Sequence, residues 1–298
     1  MTRKGGVIVQ KQIHTVAVCP NPAKDIGLCV TRDAIAVLAG CGAKPVLPLS
    51  MRDILGTKLP GAAVFVSDDV LFDGCDCAVV LGGDGSVIKT ASACADRRIP
   101  VLGINLGRVG YLAEVEQEEL YLLSRLCRGE YRMERRMMLS VSVLRDGSDI
   151  HRMPHALNEA VISNGDISHM VELAVSCDGQ AVSQFHADGV ICATPTGSTA
   201  YSMSAGGPII DPALDCFCLT PVCAHSLTAR PMLLSSDCTL EIRNTCQRED
   251  NTYLTVDGAA NFKLLYNDIV RIRKSTAETR MIRFHENSFF SVLNRKMQ

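Results

Sequence analysis

The first half of the chain alternates short apolar runs with stretches of helical spacing. Residues 14–19 (HTVAVC) read as a strand that Pro20-Asn21-Pro22 breaks. Ile26, Val30, Ala34, Val37 and Leu38 then recur at close to helical spacing, which predicts a helix over 23–38 with Gly40 and Gly42 as stops. Residues 45–49 read as a second strand, and 68–76 as an acidic connection carrying Asp68, Asp69, Asp73 and Asp76. Residues 77–81 (CAVVL) form a buried strand that ends in Gly82-Gly83-Asp84-Gly85-Ser86, with a helix-compatible run from Val87. Another buried strand covers 99–105, and an acidic-to-basic amphipathic helix covers 116–128. Strands alternating with helices imply a parallel sheet with right-handed crossovers. Ligands of such sheets bind beyond the carboxyl ends of the strands, where both the GGDGS turn and the loop 105–111 fall.

Near Arg135 the period changes. Residues 138–143 largely alternate apolar and polar, as a half-buried strand does. Arg145-Asp146-Gly147-Ser148 reads as a hairpin turn, and Cys177-Asp178-Gly179-Gln180 as another, between strands 171–176 and 181–186. Further short strands follow at 190–193, 216–219, 232–234, 239–243, 253–256, 262–265 and 269–272, and 281–296 ends the chain as a strand and a short helix. The expected fold is an α/β N-terminal domain with a parallel sheet, then a mostly antiparallel β domain, with the C-terminal segment returning to the first. The expected boundaries are 1–134, 135–278 and 279–298.

Composition narrows the partners. With 298 residues, 47% hydrophobic and 21% charged, the chain is long enough for two globular domains. A net charge of -2 without a basic arm argues against nucleic acid or an anionic membrane as a partner. The start has no long apolar core after its basic residues, and no apolar run is long enough to span a bilayer. These features predict a cytoplasmic location. Fourteen cysteines without a C-x-x-C then read as reduced thiols, with Cys77, Cys94, Cys177, Cys192 and Cys223 as small core residues rather than metal ligands.

Two stretches carry chemistry. In Gly82-Gly83-Asp84-Gly85-Ser86, glycines allow positive φ or close ligand approach, and a helix start attracts phosphate. A carboxylate repels phosphate, so Asp84 belongs there if it holds Mg²⁺ or takes a proton from an attacking hydroxyl. The plainer reading is a βα turn capped by Asp84 or Ser86. The loop fits neither G-x-x-x-x-G-K-[ST] nor G-x-G-x-x-G. The second stretch, Thr194-Pro195-Thr196-Gly197-Ser198-Thr199, follows a buried strand. It reads as a helix start capped by Ser198 or Thr199, or as a polar rim for sugar hydroxyls and phosphates.

With GGDGS, NLGRVGYL, LNEAVI and DGVICATPTGSTAYSMSAGGPI in that order, the chain closely resembles bacterial NAD kinase, from about Val79 to Pro208. The resemblance implies ATP (or polyphosphate) as phosphoryl donor, the 2′-hydroxyl of the adenosine ribose of NAD as acceptor, a divalent cation such as Mg²⁺, and a homodimer or homotetramer. Asp84 then stands at the catalytic proton acceptor, and Gly82, Gly83, Gly85 and Ser86 form the phosphate-donor loop. The family's NAD contacts carry over onto Asp84, Gly85, Lys89, Asn158, Glu159, His186, Asp188, Thr199, Ala200, Tyr201, Ser202, Met203 and Ser204, with Lys89 at the basic position near the phosphates. Asp188 faces the nicotinamide end, in some members across a subunit contact. No protein-only metal cage is expected. Ser86 stands where many members have threonine, and Ala259 stands where glutamine is expected after Asp-Gly. The rival readings are a GGDG-type kinase for a lipid or sugar phosphate and a non-catalytic NAD(P)-binding sensor.

Overall fold

The computed structural model describes residues 10–56, 59–108, 110–165, 169–246, 251–286 and 289–297. Two compact units emerge, Met1–Arg135 with Thr279–Gln298, and Arg136–Glu278.

The first unit contains β1 (Thr15–Pro20), α1 (Cys29–Gly40), β2 (Lys44–Pro48), α2 (Arg52–Leu55), β3 (Val64–Val66), β4 (Cys77–Gly82), α3 (Asp84–Ala95), β5 (Val101–Asn105), β6 (Val115–Glu116) and α4 (Leu123–Arg128). Its parallel sheet has the order β3-β2-β1-β4-β5, with β6 added beside the end of β5. Every residue of β4 and β5 is buried, as strands covered on both faces must be. Their side chains Val79, Leu81, Leu102 and Ile104 pack with Ile35 and Leu38 of α1 and Leu123 and Leu126 of α4.

The helix expected over 23–38 begins only at Cys29. Gly27 (φ 68°) and Leu28 (φ 54°) turn left-handed before it. The buried Asp25 carboxylate caps it from upstream, accepting the Val30 and Thr31 N–H groups at 3.1 and 2.8 Å. The helix expected over 116–128 is a 3₁₀ stretch, Gln117–Leu122, followed by α4, and Glu116 and Glu119 form a capping box at its start.

The second unit is antiparallel. After β7 (Arg132–Arg145), β8 (Ser148–Arg152), β9 (Glu159–Asn164), β10 (Val171–Cys177), β11 (Gln180–Ala187) and β12 (Gly189–Ala193) comes the one-turn helix α5 (Tyr201–Ser204). There follow β13 (Cys216–Val222), β14 (Met232–Ser235), β15 (Leu240–Asn244), β16 (Thr252–Val256), β17 (Ala260–Leu264) and β18 (Ile269–Arg283), the last running on into the first unit, where α6 (Phe289–Met297) follows. One sheet contains β11-β10-β15-β18, and the other runs β14-β13-β12-β9-β16-β17. Leu173, Val175 and Ile242 of the first sheet share a core with Ile162, Val190, Cys192 and Phe217 of the second. Period-2 alternation sends Val161, Ile191 and Ala193 to the opposite face, where Ile210 covers them.

Three Asp-Gly pairs make the tight hairpins. Asp146-Gly147, Asp178-Gly179 and Asp257-Gly258 all have positive φ at both residues, the backbone a two-residue turn between twisted strands demands. The fourteen cysteines are free thiols. Burial pushes Cys19 up to about 12, and Cys77, Cys94 and Cys192 are raised by burial too. Cys177 is only half-buried, and Cys223 is exposed rather than in the core, because it sits past the end of β13 with φ 47°. Among the described residues, no helix is long and apolar enough to cross a membrane.

Candidate active site

In the first unit the strand order reverses between β1 and β4, the place where open parallel sheets take ligands. The two strand ends are tied together. The Asn21 N–H donates to the Leu81 carbonyl at 2.9 Å, and its side-chain amide donates to the Ser86 hydroxyl at 2.8 Å. Beyond them lies a cavity of about 350 Å³ lined by Asn21, Lys24, Gly83, Gly85, Ser86 and Lys89. Gly83 is the N-cap of α3, so the free N–H groups of a helix start and two lysines surround one space. That combination suits an anion.

The glycines serve close approach rather than positive φ. Neither Gly82, Gly83 nor Gly85 is left-handed. A Cβ on Gly82 would lie 2.6 Å from Ser86 Oγ, and one on Gly83 would overlap the Lys24 ammonium. A Cβ on Gly85 would meet nothing within 4 Å.

α3 begins at Asp84 rather than Val87, and no side chain caps it. Asp84 faces the loop after β5 instead. Its Oδ2 accepts the Tyr111 N–H at 2.7 Å, and its Oδ1 accepts the Leu112 N–H at 3.1 Å. Each carboxylate oxygen still has a lone pair to offer. Burial, then the Asp84 charge, raises the Tyr111 hydroxyl. Gly110 leaves the room this needs, since a Cβ there would lie 2.6 Å from Asp84 Cγ. Val109 lies outside the described residues.

In the second unit two carboxylates, Asp257 and Glu159, meet. The Asp257 carboxylate accepts the Leu157, Asn158 and Glu159 N–H groups at 2.8, 2.9 and 3.0 Å. That fixes the backbone entering β9. Asn158 and Glu159 are both buried. Glu159 Oε2 has no hydrogen-bond partner. Burial first, and the Asp257 charge second, push the Glu159 carboxyl up to about 7, against the Tyr201 N–H bond that lowers it. Burial also raises Asp257, countered by its three N–H bonds.

The Thr194–Thr199 hydroxyls are mostly turned inward. Thr194 Oγ1 donates to the Leu157 carbonyl at 2.6 Å and accepts the Gly197 N–H at 3.0 Å. Ser198 Oγ donates to the Pro195 carbonyl and accepts the Ile210 N–H, and Thr199 Oγ1 donates to the Thr196 carbonyl. Neither residue caps α5, and the polar rim expected here is an internal brace. A Cβ on Gly197 would overlap the Asn158 carbonyl, so this turn and the Asn158-Glu159 corner pack as one piece. Ser202 is buried with its hydroxyl 3.0 Å from that of Thr220, while Tyr201, Met203 and Ser204 are exposed and Ala200 half-exposed.

His186 and Asp188 are not brought to this corner. Glu159 pairs with Ala193 and Ser163 with Gly189, so Asp188 lies at the other end of the β9–β12 ladder, roughly 15 Å of strand away. The His186 ring is exposed, 3.9 Å from the Glu172 carboxylate. Among the described residues, no group of three or more His, Cys, Asp or Glu side chains is gathered to hold a metal.

The sequence and the fold of this chain recur in known proteins. Residues 66–131 match the model of the ATP-NAD kinase N-terminal domain, and residues 157–284 that of the ATP-NAD kinase C-terminal domain. An NAD kinase of Geotalea daltonii is 42% identical over 224 residues, covering 75% of this chain and 78% of its own. One of Thermoanaerobacter sp. is 36% identical over 283 residues, covering 95% and 98%. The chain belongs to the NAD kinase family. Two solved structures, each 24% identical, share the fold. Yeast NADH kinase complexed with NADH superposes with a TM-score of 0.88 over 97% of this chain and 88% of its own. The Archaeoglobus fulgidus NAD kinase in complex with ATP superposes with 0.71 over 95% and 98%.

For this member of the NAD kinase family, the motif reading reaches Asp84, Asn158 and Glu159 but not Asn21, Lys24 or the supporting role of Asp257. Asn21 and Lys24 follow β1 in a turn without a motif. The order of the sheet brings them beside GGDGS, and the one signal pointing there is that β1 is also a parallel strand with a free carboxyl end. Asp257 is visible as an Asp-Gly turn, but its three N–H partners lie about a hundred residues upstream.

Proposed function

We propose that the chain transfers the γ-phosphoryl group of ATP to the 2′-hydroxyl of the adenosine ribose of NAD, making NADP. The observation that carries this is Asp84. It stands between two glycines that line a lysine-bearing cavity, with both oxygens fixed on main-chain amides and lone pairs to spare. In the reaction the 2′-hydroxyl attacks the γ-phosphorus in line with the leaving oxygen while Asp84 accepts its proton. The protein's share is positioning and neutralisation of charge. Lys24, Lys89 and the N–H groups opening α3 suit the donor phosphates. Gly85 leaves room for the ribose. Asn158 and Glu159 supply a neutral amide and a carboxyl, held by Asp257, for adenine and ribose hydroxyls, and the segment 199–204 completes the NAD contacts.

A divalent cation fits as an ion carried by the donor phosphates rather than by a cage of side chains. Mg²⁺ keeps waters and binds through one or two carboxylates plus phosphates. Bound there, it would neutralise charge on the transferring phosphoryl group. A homo-oligomer is part of the same reading. Asp188 stands a ladder's length from Glu159, with His186 two residues before it, which suits service to the pocket of another copy. Fourteen free thiols suit the reducing cytoplasm.

The test incubates the purified full chain with ATP, Mg²⁺ and NAD and scores the product with a dehydrogenase that accepts only NADP. ATP-dependent NADP is expected. Calorimetric binding of NAD without product would mean a sensor, and turnover of a lipid or sugar phosphate alone would mean another kinase of the GGDG type.

A further inference from the structure

We propose that Arg283 and Glu114 are positioning residues that aim the Asp84 carboxylate through the backbone of the loop 110–114. The proposal rests on the reading of Asp84 as proton acceptor. Leu112 is gripped at both of its main-chain groups. Its N–H donates to Asp84 Oδ1 at 3.1 Å, and its carbonyl accepts from Arg283 Nη1 at 3.0 Å. The same Nη1 lies 3.2 Å from Glu114 Oε2, and Arg283 Nε donates to Glu134 Oε2 at 2.6 Å. The other oxygen of Glu114 accepts the N–H groups of Phe284 and His285, both at 2.7 Å. Two residues after the Asp84 contact, the loop is therefore bolted to the end of β18.

The bolt is nearly dry. The side chains of Arg283 and Glu114 are 12% and 10% exposed, so this ion pair is little screened by water. The neighbouring residue is held as well. The Lys296 ammonium sits 3.9 Å from the centre of the Tyr111 ring, and the Phe289 ring centre is 6.3 Å from it. Tyr111 gives Asp84 its shorter hydrogen bond. Both amide donors to the carboxylate are thus anchored by residues roughly 170 to 185 positions later in the chain, on β18 and α6. The loop's own glycines at 107 and 110 supply no such stiffness. Proton transfer depends on where a lone pair points, and misplacement by about 1 Å costs on the order of 10²-fold in rate. A guanidinium that meets three acceptors at once fixes that geometry in a way an ammonium cannot.

The test uses Arg283→Lys and Glu114→Gln in the full chain, each also combined with Asp84→Asn. Arg283→Lys keeps the charge beside Glu114 and Glu134 and loses the fork. Thermal melting confirms that each variant is folded. The expected result is a fall in kcat of ~10–10²-fold with the KM values for NAD and ATP within about twofold. In the Asp84→Asn background, read at high enzyme concentration, the same substitutions should cost nothing further, because the group they aim is gone. An equal fractional loss in both backgrounds overturns the proposal and makes the network a brace of the fold. Unchanged kcat in the single variants overturns it too. If Asp84→Asn alone keeps full kcat, the proton-acceptor reading fails first and takes this proposal with it, a result distinct from the other two.

Discussion

Asp257 holds Glu159 by its main-chain N–H at 3.0 Å while its charge opposes the Glu159 carboxylate. Attraction at the backbone and repulsion at the side chain meet in one buried corner. The Glu159 carboxyl rises from 4.5 to about 7, first by burial and then by Asp257. The folded state therefore holds this proton more tightly than the unfolded chain does. The stabilisation is fully present below about pH 4.5 and is lost as pH rises through about 7. Glu159→Gln removes the ionisation and should be more stable than the parent at pH 8, by an amount on the order of 3 kcal/mol, with the difference vanishing near pH 4. Thermal melts of both proteins from pH 4 to 8 check this. Parallel curves would show that the carboxyl titrates normally.

Substitutions at three glycines should separate packing from ligand space. Gly82→Ala drives a methyl group against Ser86 Oγ at 2.6 Å and should destabilise by about 1–3 kcal/mol. Gly85→Ala meets open space inside the first turn of α3. Alanine is the better helix former there, so stability should rise by about 0.5–1 kcal/mol. The same methyl would occupy the room proposed for the ribose, so kcat/KM for NAD should fall. Gly110→Ala displaces the Asp84 carboxylate and should lower kcat more than stability. Denaturant melts and steady-state kinetics on the three proteins give the comparison. Unchanged kinetics in Gly85→Ala would put the acceptor elsewhere.

The sequence showed its elements where periodicity is strong and burial two-sided. Strands such as 77–81 and 171–176 and the Asp-Gly turns stand out because an apolar run or a positive φ leaves a local mark. The start of α1 did not show, since Asp25 caps it across two left-handed residues that no pattern announces. The inward hydroxyls of Ser198 and Thr199 are not legible locally, because a cap and a brace use the same residue types. Lys24 leaves no mark in the sequence for a topological reason. Only the pairing of β1 with β4 carries it to the GGDGS turn.

Lys24 and Lys89 should matter for the donor and little for the fold. Both are exposed and line the cavity at the start of α3. A hydrogen bond to a charged group contributes about 1.5–3 kcal/mol. Lys24→Ala should therefore raise the KM for ATP on the order of tenfold or more. Lys89→Ala should do the same, and added salt should shrink the penalty of both. Thermal stability should stay within about 0.5 kcal/mol, as for surface changes away from special features. Initial rates against ATP at low and high ionic strength are the measurement. If Lys24→Ala leaves the KM for ATP unchanged, the donor phosphates do not use this cavity.

Asp84→Asn tests the chemistry most directly, and its stability cost can be worked out beforehand. Asparagine keeps the shape but has one carbonyl oxygen to accept with. Its NH₂ group would face one of the N–H groups of Tyr111 and Leu112 that the carboxylate now holds at 2.7 and 3.1 Å. One hydrogen bond is lost, which costs about 1 kcal/mol of stability and little structure. Loss of a general base costs ~10²–10⁴-fold in turnover, which is roughly 3–5 kcal/mol of barrier. The two effects differ in size and in observable. Turnover should collapse, the KM for NAD should hold, and the melting temperature should fall only slightly. A variant that melts lower yet turns over at the parent rate would make Asp84 a fastener between α3 and the loop after β5, and the proton would have to leave the ribose by another route.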